Sequence, residues 1–95
     1  MLHKVKKIIE IQNFAIICEF NTGAQKKIEV LPLLLKHSHL KGIQQLNQKS
    51  IFDQVAIGEM GELFWKNVIT SKSNEIWNYD ISPEFIYHFG INVND

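Results

Sequence analysis

The stretch FAIICEFNTGAQKKIEV, Phe14 to Val30, decides the fold. Phe14, Ile16, Cys18 and Phe20 alternate with Ala15, Ile17 and Glu19, which is the period-two pattern of a half-buried strand. Asn21-Thr22-Gly23 follows, where Asn opens a turn through its side chain and Gly accepts the positive φ that a hairpin loop of three to five residues requires. Ile28 and Val30 then face one way while Lys27 and Glu29 face the other, so a second strand returns antiparallel to the first. Upstream, Val5, Ile9 and Ile11 fall on one face of a further strand, with Ile8 and Glu10 on the other and Lys7 interrupting the apolar set. Together these segments predict a three-stranded antiparallel meander.

Beyond the meander, Pro32 suits the first turn of a short helix whose Leu33, Leu34 and Leu35 supply apolar surface, and Gly42 closes that segment. Ile43 and Leu46 lie three apart, and Ser50 precedes Asp53 in capping-box spacing, so one helical turn is expected at each place. Ala56-Ile57 and Leu63-Phe64-Trp65 flank Gly58-Glu59-Met60-Gly61 and predict a hairpin. From Lys66 to Asn78 polar residues dominate, which reads as an exposed excursion before the chain returns through Ile76, Trp77 and Tyr79. The strongest local signal is Ile81-Ser82-Pro83-Glu84-Phe85-Ile86-Tyr87. Ser82 caps, Pro83 presets φ, Glu84 complements the helix dipole, and Ile81 staples onto Ile86. That helix ends at Gly90, before a tail from Ile91 to Asp95. The expected fold class is α+β, a small antiparallel sheet of about five strands made of the N-terminal meander plus a later hairpin, with short helices and a capped C-terminal helix.

At 95 residues the chain is expected to be a single domain, 1–95. Ten lysines balance ten acidic residues and there is no arginine, so the basic excess and the guanidinium fork that favour nucleic acid are both missing. The charges are nonetheless asymmetric: residues 1–50 carry eight lysines against three glutamates, and residues 51–95 two lysines against seven acidic residues. Such asymmetry suits a surface that meets a partner or a second copy, unless the halves interleave in space. The longest nearly unbroken apolar run, Val30 to Leu35, falls far short of the roughly 20 residues needed to cross a bilayer, and the N-terminal apolar run is broken too early for a signal peptide. With one cysteine, a cytoplasmic protein without internal disulfides is expected.

No residue set demands catalysis. His37-Ser38-His39 has the spacing that can start a metal site, but no third ligand follows nearby, and a polar loop explains it. Cys18 sits on the apolar face of its strand and reads as a small buried hydrophobe. Asp80 and Glu84 are explained by the helix start. Neither a cofactor nor a metal is expected. Trp65 reads as core; Trp77, with Tyr79, is open between core packing and a docking edge, since Trp and Tyr are enriched at hot spots.

Four short motifs, Phe20-Asn21-Thr22-Gly23, Phe52-Asp53-Gln54-Val55, Gly61-Glu62-Leu63-Phe64-Trp65 and Asp80-Ile81-Ser82-Pro83-Glu84-Phe85-Ile86-Tyr87, occur in that order across almost the whole chain. In this the chain resembles a bacterial family, domain of unknown function 2442. One departure stands out: the family pattern passes from the tryptophan through a proline-asparagine-glycine turn almost directly to the aspartate, whereas here Lys66 to Tyr79 intervene. The resemblance implies a small α+β protein without assigned catalytic residues, in many cases encoded beside a second small protein as toxin–antitoxin pairs are. The expectation is therefore a non-enzymatic protein-binding module that contacts the neighbouring product through Trp77, Tyr79, Lys26 and Lys27, and that can also self-associate. The alternative is a DNA-binding regulator using Lys4, Lys6, Lys7, Lys26 and Lys27.

Overall fold

The computed structural model describes residues 2–93; Met1, Asn94 and Asp95 lie outside the described residues. Strands β1 (Val5–Gln12), β2 (Ala15–Phe20) and β3 (Gln25–Glu29) form the expected antiparallel meander. Helix α1 (Leu31–Lys36), a 3₁₀ turn (Ile43–Asn47) and helix α2 (Lys49–Phe52) lead to a second sheet of β4 (Ala56–Ile57), β5 (Leu63–Thr70) and β6 (Ile76–Ile81). Helix α3 (Pro83–Phe89) and a two-residue strand β7 (Ile91–Asn92) complete the described chain. The class is α+β as the sequence predicts, but the meander and the later hairpin do not share one sheet: the strands divide into β1-β2-β3-β7 and β4-β5-β6. The core joins both sheets, with Ile16, Cys18 and Phe20 from the first, Leu63 and Trp65 from the second, and Phe52, Leu46 and Ile86 between. Trp65 is sealed in, its Nε1–H donating to the Phe52 carbonyl at 2.8 Å.

Three hairpin loops share one bonding scheme. In Phe20–Ala24, Gly58–Glu62 and Ser71–Glu75 the first N–H donates to the last carbonyl, and the fourth N–H donates back to the first carbonyl. The fourth residue is left-handed each time: Gly23 at φ 90°, Gly61 at φ 80° and Asn74 at φ 64°. Gly and Asn are the residues that tolerate this conformation in a hairpin bulge.

Several expectations need correction. In β1 it is Val5, Ile8 and Ile11 that pair with Phe20, Cys18 and Ile16 across the core face, while Ile9 is 43% exposed. Lys6 and Ile9 are skipped in the register, and these two bulges convert a period of two into a period of three. Phe14 belongs to the turn rather than to β2: Asn13 and Phe14 both have positive φ, at 50° and 63°, as a two-residue type I′ connection requires. Phe14 holds this strained position with its ring 5.0 Å from that of Phe52, edge to face.

The excursion from Lys66 to Asn78 is mostly strand. β5 runs on to Thr70, burying Val68 and Ile69, and polar Asn67 is the irregular residue at φ 58°, its N–H held by the Asn78 side chain. Ser50 caps nothing: it lies inside α2, whose N-cap is Gln48. Ser82, by contrast, caps α3 as expected, accepting from the Phe85 N–H at 3.1 Å, and Ile81 and Ile86 are both buried. Gly90 ends α3 in an extended rather than a left-handed conformation. It is small for reasons of space, since a Cβ there would lie 2.6 Å from the Ile86 carbonyl oxygen and 3.0 Å from Lys26 Cβ. That close approach lets the tail pair with β3, Ile91 opposite Lys27 and Asn92 opposite Lys26.

Candidate functional site

Trp77 is the most exposed tryptophan, 56% accessible on β6 opposite Ile69. It walls an open groove of about 660 Å³ between the far end of the β5–β6 hairpin and the segment His39-Leu40-Lys41. The Thr70 N–H donates to the Lys41 carbonyl at 2.9 Å and fixes that segment against the hairpin. Ile69 and Leu40 give the groove an apolar lining; Lys41, Lys72 and Glu75 give it charge.

Tyr79 does not join Trp77 on the surface. It pairs with Trp65, is only 5% exposed, and its hydroxyl shares a 2.8 Å hydrogen bond with His37 Nδ1. Burial, and after it the neighbouring Asp80 carboxylate, raises the phenol above its ordinary pKa. The difference between the two aromatics arises from position along one strand: β6 lies over the core at Tyr79 and has passed beyond it at Trp77.

Nor do Lys26 and Lys27 form one surface. Register places Lys26 opposite Cys18 on the core face of the first sheet, where its Nζ stands 4.8 Å from the ring centroid of Tyr87. Lys27 lies opposite Ile17 on the other face, 3.6 Å from the Glu29 carboxylate. Adjacent residues in a strand point to opposite faces, so adjacency in sequence divides this pair. Both lysines also stand on the other sheet from Trp77.

His37 and His39 have ring centroids 6.2 Å apart, and the Nδ1 of His37 is engaged by Tyr79. Among the described residues no group of three His, Cys, Asp or Glu side chains converges as metal ligands would. Cys18 is fully buried, and burial pushes its thiol up to about 11, which keeps it protonated and unreactive at neutral pH. No described helix is long and apolar enough to cross a membrane.

Two features escaped the sequence reading. Glu84 does more than complement a dipole: it accepts from the His3 N–H at 2.7 Å and bonds His3 Nδ1 at 2.9 Å, while the His3 ring stacks on Tyr87 at 3.6 Å. Hydrogen bonding from the His3 ring, then from its N–H, lowers the Glu84 pKa. No local signal announces a contact between residues 81 positions apart. The second is an apolar groove along the open end of β3, lined by Ile28, Pro32, Leu33, Phe85, Phe89 and Ile91. Phe89, at the end of α3, is 70% exposed there.

No family model, curated protein or solved structure matches the chain.

Proposed function

We propose that this chain is a non-enzymatic protein-binding module of the cytoplasm, the antitoxin-like member of a small bacterial gene pair whose partner is encoded beside it. The observation that carries the reading is Trp77, an aromatic side chain more than half exposed beside a groove with apolar lining. Large aromatics left accessible at a groove are the residues on which binding energy concentrates. The resemblance of the four ordered motifs to domain of unknown function 2442 supplies the expectation of a neighbouring partner. A DNA-binding role has weaker support, because Lys26 and Lys27 face opposite sides of their sheet and present no common strip to phosphates.

The test is co-expression of the two neighbouring products, followed by purification and sedimentation. A complex is expected, and Trp77→Ala should weaken it at least tenfold, mainly through faster dissociation. Failure to co-purify, or a complex indifferent to Trp77→Ala in a variant that keeps its amide spectrum, refutes the reading.

A further inference from the structure

A β-sheet edge carries unpaired N–H and C=O groups that invite another strand, so proteins blunt their edges with bulges, lysines, prolines or short strands. Among the described residues four strands are edges: β1 and β7 of the first sheet, β4 and β6 of the second. β1 carries two bulges and the charges of Lys6 and Lys7, and its Val5 N–H is already taken by the Gly61 carbonyl. β7 and β4 are two residues long. β6 differs from all three. It runs six residues, contains neither lysine nor proline, and the irregularity in its ladder comes from extra residues in β5. Among the described residues no hydrogen bond reaches its outer side. Its first two residues, Ile76 and Trp77, are each 56% exposed, one on either face.

We infer that β6 is a strand-acceptor edge, and that the partner docks by laying an extended segment antiparallel along Ile76–Ile81 with a basic residue opposite Asp80. This deepens the protein-binding reading and rests on it. Main-chain pairing supplies affinity in such augmentation, and the side chains on the edge select the segment. Asp80 is exposed and has no ion-pair partner among the described residues. Opposite charges facing each other across a strand pair are favourable, so the incoming residue there is Lys or Arg. Running antiparallel, the residues three and four positions later face Trp77 and Ile76 and are apolar. The recognised pattern is basic-x-x-apolar-apolar. A second copy of this chain is disfavoured, because Ile76–Ile81 contains no cation and self-pairing of β6 in any register leaves Asp80 without an opposite charge.

The probe is a capped octapeptide, TKTTVITT, titrated into the ¹⁵N-labelled full chain, with TETTVITT as its charge-reversed control. Amide shifts should concentrate on Ile76–Asp80, and the lysine peptide should bind about fivefold more tightly than the glutamate one. Asp80→Lys, an exposed change that does not threaten the core, should invert that preference. Trp77→Ser should weaken binding about tenfold. Equal affinity for the two peptides, or no shifts along β6 at millimolar peptide, overturns the inference. So does a dimer of the free chain that Trp77→Ser dissolves, since a second copy would then occupy the edge. If the neighbouring product binds through Trp77 but ignores Asp80→Lys, the edge mode fails while the protein-binding reading survives. If the peptide binds as described but the neighbour does not co-purify, the edge mode stands and the gene-pair reading fails.

Discussion

Gly90→Ala separates two reasons for a glycine. At φ −71° and ψ 155°, residue 90 has a backbone that alanine adopts freely. Judged by conformation alone, the substitution should stabilise the protein by about 0.4–1 kcal/mol through a less flexible unfolded chain. Space opposes this. The added Cβ would meet the Ile86 carbonyl oxygen at 2.6 Å, Lys26 Cβ at 3.0 Å and the Lys27 carbonyl oxygen at 3.3 Å, and two of these atoms are backbone and cannot swing aside. Overpacking of this kind costs about 1–3 kcal/mol, so the net effect is a loss of about 1–2 kcal/mol. Relief requires β7 to retreat from β3, so the Ile91 and Asn92 amides should lose protection from exchange. Urea melts followed by tryptophan emission give the stability, and hydrogen exchange by NMR gives the location. Gly23→Ala is the control: it has nothing within 4 Å but sits at φ 90°, and should cost about 1–2 kcal/mol without disturbing β7. A Gly90→Ala protein as stable as the parent, with unchanged exchange in β7, would refute the reasoning.

Ser82→Ala should cost about 1 kcal/mol in denaturant melts, because the Phe85 N–H loses its acceptor at the start of α3. Tyr79→Phe should cost about 0.5–1.5 kcal/mol by stripping His37 of its partner while leaving the β6 edge intact, so binding of the octapeptide should be unchanged. The Glu84 carboxyl, lowered from the ordinary 4.5 in the folded state, contributes stability that is present above that value and lost as pH falls through the folded pKa. Melts at pH 7 and pH 3 should therefore differ less in Glu84→Gln than in the parent, and an equal difference would remove Glu84 from the acid response.

What the sequence made legible follows from how far each signal reaches. The alternation from Ile16 to Phe20, the Asn21-Thr22-Gly23 loop and the Ser82-Pro83 start are local, and the structure contains them. β1 misled because Lys6 and Ile9 are skipped, and a bulge leaves no mark in composition. The span from Lys66 to Thr70 reads as loop because Lys66 and Asn67 are polar, yet Val68 and Ile69 are carried into the core by the strand that follows Trp65. At the candidate site, Trp77 and Tyr79 share a strand face in sequence, and only the extent of the core beneath β6 tells them apart. His3 and Glu84 show the limit of local reading, since nothing in either neighbourhood encodes the other.

The recurring five-residue loop has a consequence for how the strands find their alignment. Among the described residues, every strand pairing except that of β7 with β3 joins neighbours in sequence. Three of those four joins are set by a loop whose length and single left-handed residue dictate which side chains meet. Alignment is thus written hairpin by hairpin, and an insertion in one loop would misalign its own ladder while leaving the other sheet in step.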